Sequence, residues 1–120
     1  MKKGEMTQVV SNLIANAGYA MPDGGTLSVT VEDAMVDGRD GTRLTVEDTG
    51  IGVPAENLRK IFEPFFTTRS EIGTGIGLWV ARQLVEGHGG TIEVESSTDS
   101  ASHGTKMSIF LPLDNPYSGT

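Results

Sequence analysis

Residues 48–52 read Asp-Thr-Gly-Ile-Gly, and residues 73–78 read Gly-Thr-Gly-Ile-Gly-Leu. Glycine has no Cβ and takes positive φ angles, so both loops let a ligand come close to the backbone. The second loop opens onto a helical pattern, and free N–H groups at a helix start attract phosphate. The carboxylate of Asp48 stands two residues before the first glycine. The two loops therefore predict a nucleotide held at both ends, with its base at the first loop and its phosphates at the second.

The composition indicates one soluble globular domain. The chain has 120 residues, of which 37% are hydrophobic and 21% charged, enough for a single core. Its net charge is −7 and its nine Lys and Arg residues are scattered, which argues against a nucleic-acid surface. It has no cysteine, and no apolar run approaches the roughly 20 residues that span a bilayer. We expect a cytoplasmic domain without direct membrane contact, with a membrane anchor left open for the parent protein.

Hydrophobic spacing predicts two long helices and four strands. Helical spacing runs over residues 6–21 and 74–86, and alternation marks strands around 27–31, 44–46, 92–94 and 107–111. Pro54 predicts a short helix that ends near Ile61, followed by a loop. The order of helix, two strands, loop, helix and two strands favours antiparallel hairpins with helices on one face, an α+β two-layer sandwich.

Single motifs leave alternatives open. Asn12 and Asn16 are four residues apart on one helix face, and amide oxygens suit Mg²⁺, but solvated or capping asparagines would show the same spacing. A buried Asp48 can accept a hydrogen bond from an exocyclic amine, whose unpaired burial costs about 1–3 kcal/mol, yet Asp-x-Gly is also common in turns. We expect structural or surface roles for His88 and His103.

Five motifs in one order resemble the N, first G, F, second G and third G boxes of the catalytic ATP-binding domain of sensor histidine kinases. They are Asn-Leu-Ile-Ala-Asn-Ala (12–17), Asp-Thr-Gly-Ile-Gly-Val-Pro (48–54), Ile-Phe-Glu-Pro-Phe-Phe-Thr-Thr (61–68), Gly-Thr-Gly-Ile-Gly-Leu (73–78) and Gly-Thr (104–105). The resemblance makes residues 1–120 one catalytic domain, with its motifs in 8–112 and a flexible tail over 113–120. It implies the Bergerat ATP-binding fold, with a mixed, largely antiparallel sheet and helices on one face.

The resemblance also implies ATP and Mg²⁺ as ligands. Asn16 would ligate Mg²⁺, Asn12 would support the phosphate side, and Asp48 would read the adenine amine. Gly50 and Gly52 would allow close approach, and Thr105 would contact the adenine end directly or through water. The other implied binding residues belong to the lid and its hinge: Thr67, Thr68, Arg69, Gly73, Thr74, Gly75, Gly77 and Leu78. Since no basic residue directly follows Asn16, Arg69 is the catalytic cation that the resemblance leaves.

The implied activity is donation of the γ-phosphoryl group to a histidine on a separate helical dimerisation domain, with a response regulator receiver downstream. Relatives that hydrolyse ATP carry a Glu four residues before the magnesium Asn, and here that position is Asn12. An amide cannot take a proton near neutral pH, which favours transfer over hydrolysis. Without the helical domain we expect no autophosphorylation by the isolated chain. The alternatives are an ATPase conformational switch and a non-catalytic nucleotide-sensing module.

Overall fold

A computed structural model of the chain describes residues 3–63 and 77–112. Its elements are α1 (Lys3–Ala20), β1 (Leu27–Val36), β2 (Arg39–Asp48), α2 (Gly77–Gly87), β3 (Thr91–Ser97) and β4 (Gly104–Pro112). After Pro54, two short 3₁₀ segments, Ala55–Asn57 and Lys60–Phe62, replace the predicted short helix. The predicted tail over 113–120 and most of the predicted loop after Ile61 lie outside the described residues.

The strands form one antiparallel sheet in the order β1–β2–β4–β3, which confirms the α+β class. The β1–β2 hairpin turns at Asp37-Gly38, where φ is +52° and +79°, the backbone pattern that matches strand twist in a tight hairpin. The Asp40-Gly41 pair, which also looks like a turn, lies within β2 instead. A Cβ at Gly41 would collide with the Phe110 ring, so this glycine serves packing rather than turning.

Cross-strand rows build the core on the helix-facing side of the sheet. Residues directly opposite each other in antiparallel strands share a face. Val46 lies between Val29 and Met107 in one such row, and the adjacent row places Leu44 between Val31 and Ile109. The helices cover this face with five buried side chains: Val9, Leu13, Ala17, Ala81 and Val85.

The strand β1 is less buried than its alternation predicts. Leu27, Val29 and Val31 do point to the helix-facing side, but they are 38%, 47% and 65% exposed. The cause is the reach of the helical layer, because α1 packs on β2 and α2 packs on β3. The prediction of a half-buried strand was therefore wrong for β1, although the strand itself is confirmed.

Two polar contacts join the helices side by side. The amide Nδ2 of Asn12 donates to the carbonyl of Gly77 at 3.0 Å, where α2 begins. At the other end of α2, Nε2 of His88 lies 3.4 Å from a carboxylate oxygen of Glu5. His88 thus has the structural role that we expected.

Candidate functional site

The last row on the helix-facing side carries polar side chains where the preceding rows carry apolar ones. Asp48 lies opposite Thr105, and Thr105 lies opposite Ser96, so side chains from β2, β4 and β3 line up. Asp48 is only 5% exposed and Thr105 only 4%. Polar groups this deeply buried need hydrogen-bond partners, which makes the row the first candidate for a binding site.

The carboxylate of Asp48 is buried yet held by backbone donors. The N–H of Gly50 donates to Oδ1 at 2.8 Å. Burial raises the pKa of Asp48 above its ordinary 3.8, while hydrogen bonds from the backbone N–H groups of Gly50 and Thr105 oppose the rise. The neighbouring charge of Glu47 adds a smaller upward push to this pKa. An ionised Asp48 is therefore an under-solvated acceptor, and a ligand N–H group would relieve part of that cost.

The glycine loop after Asp48 is clamped from two sides. The N–H of Ile51 donates to the carbonyl of Ala20 at the end of α1 (2.9 Å), and the N–H of Val53 donates to Oγ of Ser96 on β3 (2.7 Å). A Cβ on Gly50 would collide with the backbone of Ala20. Gly52 has φ +81°, and a Cβ there would meet the Ser97 carbonyl. Both glycines are thus required by the fit of the loop against its own chain, and close approach of a ligand stays a prediction.

Sequence reasoning missed two side chains that hold the same loop. Nδ1 of His103 hydrogen-bonds the Gly50 carbonyl, and because a carbonyl only accepts, Nδ1 carries the proton. Oγ1 of Thr49 accepts a hydrogen bond from the N–H of Thr26 at 2.9 Å, which ties the loop to the start of β1. A histidine in a polar hairpin loop gives no signal of such a contact, because its partner is 53 residues away.

Ser96 is the third missed residue, and here a signal existed. The alternating pairs Ile92–Ile109 and Val94–Met107 fix the register of the β3–β4 hairpin. One more step of two residues along each strand pairs Ser96 with Thr105. The pattern that predicted the hairpin therefore also placed Ser96 beside a candidate site residue.

The two asparagines of α1 lie on the flank that faces α2. Since the Nδ2 group of Asn12 is bound to Gly77, Asn12 is not the freely solvated residue of the alternative interpretation. Asn16 is half-buried and lies about one turn before Ala20, the residue that holds the glycine loop. Within 3–63 and 77–112, no group of three or more His, Asp or Glu side chains could hold a metal ion.

The predicted lid residues are only partly within the described chain. Leu78 is half-buried and packs against the core, and Gly77 begins α2 beside Asn12. The rest lie outside the described residues: Thr67, Thr68, Arg69, Gly73, Thr74 and Gly75. No described helix is long and apolar enough to cross a membrane.

The comparison with known proteins shows the family of the chain. The family model described as "Histidine kinase-, DNA gyrase B-, and HSP90-like ATPase" matches residues 1–115. The chain belongs to this family. It is therefore an ATP-binding domain, as the five motifs predicted.

Within this family, the chain is similar to sensor histidine kinases. Sensor histidine kinase ZraS of Escherichia coli is 40% identical over 109 residues, which cover 91% of this chain and 22% of that protein. Sporulation kinase A of Bacillus subtilis is 39% identical over 110 residues, 92% of this chain and 17% of that protein. The chain thus spans about a fifth of the length of these relatives.

Solved structures agree with the fold. A mycobacterial sensor histidine kinase, MprB, superposes with a TM-score of 0.78 and 30% identity, covering 93% of this chain and 74% of that one. The catalytic domain of histidine kinase ThkA, in a nucleotide-free form, gives a TM-score of 0.75 at 34% identity, with 91% and 66% covered. Both confirm the two-layer sandwich of a histidine kinase catalytic domain.

Proposed function

We propose that this chain is the Mg-ATP-binding catalytic domain of a sensor histidine kinase. It donates the γ-phosphoryl group of ATP to a histidine on a separate helical dimerisation domain, and a response regulator receiver acts downstream. The observation that carries the proposal is Asp48, a carboxylate only 5% exposed, beside a clamped glycine loop and Thr105. The similarity to sensor kinases supports the choice of phosphoryl acceptor.

At the adenine end, Asp48 accepts a hydrogen bond from the exocyclic amine. Its burial makes this contact selective, because a base without that amine leaves the carboxylate unpaired. Thr105 contacts the same end of the base, directly or through water. Gly50 and Gly52 allow the base to approach the loop closely.

At the phosphate end, Asn16 ligates Mg²⁺ through its amide oxygen, and Asn12 supports the phosphates beside the start of α2. The donor set fits this ion, because Mg²⁺ binds few protein oxygens and shares its shell with phosphate and water. When bound, Mg²⁺ neutralises charge on the phosphates. The lid residues complete this end: Thr67, Arg69, Gly73, Thr74, Gly75, Gly77 and Leu78 bind the nucleotide, and Arg69 supplies the catalytic cation.

The chemistry is transfer rather than hydrolysis. Phosphoryl transfer depends mainly on positioning and charge neutralisation, which amides and a metal ion provide. Asn12 occupies the position where a general base would activate water, and its amide has no proton-accepting function near neutral pH. Its Nδ2 is also already engaged with Gly77.

Calorimetric titration with ATP, with and without Mg²⁺, tests the assignment. Asp48→Ala should lose most of the affinity under both conditions, whereas Asn16→Ala should lose only the part that Mg²⁺ adds. Gln8→Ala, an exposed change on the same helix, is the matched control and should bind like the unaltered chain. Unchanged affinity in both site variants would refute the site. Rapid ATP hydrolysis by the isolated chain would favour the ATPase switch. ATP binding without phosphoryl transfer would favour a non-catalytic sensing module.

A further inference from the structure

We propose that Ser96 is a specificity-determining positioning residue, which fixes the direction of the Thr105 hydroxyl proton. With that proton turned away, the side chains of Thr105 and Asp48 offer a ligand only hydrogen-bond acceptors. The proposal rests on the proposed function, since it concerns how the same pocket selects adenine. It assigns a role to a side chain that touches no part of the base itself.

The Ser96 hydroxyl has a single proton for its hydrogen bonds. This oxygen lies near three partners: the N–H of Val53 at 2.7 Å, the carbonyl of Gly104 at 2.8 Å and Oγ1 of Thr105 at 2.8 Å. An N–H group only donates and a carbonyl only accepts, while a serine hydroxyl has one proton and two lone pairs. The single proton of Ser96 therefore goes to Gly104, and one lone pair takes the Val53 N–H.

The direction of the third contact follows. Ser96 has no proton left for Thr105, so the Thr105 hydroxyl must donate to Ser96. Because a threonine hydroxyl also has a single proton, Oγ1 of Thr105 can present only lone pairs to anything else. Thr105 is 4% exposed, so bulk water does not readily supply it with another partner.

Asp48, the side chain opposite Thr105, is also a hydrogen-bond acceptor only. Its ionised carboxylate only accepts, and the Gly50 N–H already occupies Oδ1. Two neighbouring acceptors therefore face the ligand from β2 and β4. The proposal places both acceptors against position six of the base, beside N1 rather than facing it. The two amine hydrogens of adenine then satisfy both acceptors, whereas the oxygen that hypoxanthine and guanine carry at this position would face acceptors without a proton between them.

Loss of the Ser96 hydroxyl would release the Thr105 proton. The Thr105 hydroxyl could then rotate and donate to an oxygen at position six. The structural effect of the loss, an unpaired N–H at Val53, bears on both nucleotides alike. Only the change in the direction of the Thr105 proton affects the two nucleotides differently. The ratio of the affinities for ATP and inosine triphosphate therefore distinguishes a positioning role of Ser96 from a general loss of stability.

The test compares the affinities for ATP and inosine triphosphate in four forms of the chain. Ser96→Ala should lower the preference for ATP over inosine triphosphate about tenfold, the effect of one hydrogen bond. Ser96→Thr keeps the hydroxyl and should restore the preference. Ser97→Ala removes the exposed neighbouring hydroxyl, which accepts a hydrogen bond from the N–H of Asp99 within the turn, and should leave the preference unchanged.

Thr105→Val is the second variant, in case Ser96→Ala does not fold. It removes the lone pairs themselves and should also lower the preference, mainly by weakening ATP. The proposal would be overturned if Ser96→Ala kept the preference for ATP, or if the unaltered chain bound both nucleotides equally. In either case, ATP binding that is lost in Asp48→Ala would still uphold the proposed function. Absence of ATP binding in the unaltered chain would refute both.

Discussion

At the scale of single residues, Asp48 combines two opposing demands. The proposed adenine contact needs a carboxylate that is poorly solvated, because only then does a ligand amine gain much by pairing with it. The fold bears the cost of that burial, since a charged group with few partners destabilises the folded state. The hydrogen bonds from the Gly50 and Thr105 backbone N–H groups reduce the cost.

This conflict predicts how stability changes with pH. Burial raises the folded-state pKa of Asp48 above 3.8, so the folded state binds this proton more tightly than the unfolded state. Its contribution to stability is complete below pH 3.8 and is lost as the pH rises through the raised pKa. Asp48→Asn carries no charge and keeps an amide oxygen, whose two lone pairs can accept from the backbone N–H groups of Gly50 and Thr105. This variant should therefore be more stable than the unaltered chain at neutral pH, by about 1.4 kcal/mol for each pH unit between the folded and unfolded pKa values of Asp48.

Urea unfolding of the ligand-free protein between pH 3.5 and pH 7.5 would measure that difference. The advantage of Asp48→Asn should shrink as the pH falls and vanish near the ordinary pKa of an aspartate, about 3.9. Glu93→Gln is the control, because Glu93 is an exposed carboxylate on the other face of the sheet. A constant difference across this range would show that ionisation of Asp48 is not its cause.

At the scale of elements, the glycine loop depends on two glycines for a reason that its motif does not reveal. Gly50 passes against the end of α1 and Gly52 against the end of β3, and neither place leaves room for a Cβ. The sequence predicted that these glycines make room for a ligand. In the structure, the space beside each glycine is taken by the chain's own backbone. Such contacts join parts of the chain far apart in sequence, so no local pattern contains them.

A matched pair of glycine substitutions distinguishes the loop from a helix. Gly52→Ala should destabilise the chain by more than about 1 kcal/mol, because φ is +81° and the Ser97 carbonyl blocks the new Cβ. Gly18→Ala lies on the exposed side of α1 with nothing within 4 Å, and should stabilise it by about 1 kcal/mol. Thermal unfolding of both variants would show opposite shifts, and a loss of stability in both would contradict this distinction.

The strand β1 shows where prediction from the sequence ends. The alternation of Leu27, Val29 and Val31 correctly gave a strand and the face to which its side chains point. Burial depends on a second layer, and the helices pack on β2 and β3.

Some residues of the candidate site could be predicted from the sequence and others could not. Asp48 stood out by its place before a glycine loop, whereas Ser96 gains its role only through the hairpin register and His103 through a distant carbonyl.

Two valines in one cross-strand row test the uncovered position of β1. Val46→Ala should cost about 2 kcal/mol, because Val46 is only 3% exposed and its truncation leaves a cavity under the helices. Val29 lies directly opposite Val46 and is 47% exposed, so Val29→Ala should stay within about 0.5 kcal/mol. Urea unfolding measures both, and equal losses would mean that β1 is covered in solution.

At the scale of the whole molecule, the chain is an ATP-binding domain, and we propose that the phosphoryl acceptor lies on another domain. The chain spans about a fifth of the length of ZraS and of sporulation kinase A, and the ThkA structure that it resembles is a catalytic domain. Three features lie close together at one end of the sheet. They are the row of Asp48 and Thr105, the glycine loop after Asp48, and α1 with its two asparagines. Fold and family were predictable because five motifs occur in one order, while the hydrogen-bond directions within the pocket required the structure.

The fate of the γ-phosphate distinguishes a phosphoryl donor from an ATPase. The chain would be mixed with γ-labelled Mg-ATP and a helical dimerisation domain from a sensor kinase relative, in two forms with and without its acceptor histidine. We predict acid-labile label on the histidine-bearing form alone, no label when Asp48→Ala replaces the unaltered chain, and little free phosphate. A chain that binds Mg-ATP but passes the label only to water, whichever form is present, would contradict transfer to histidine.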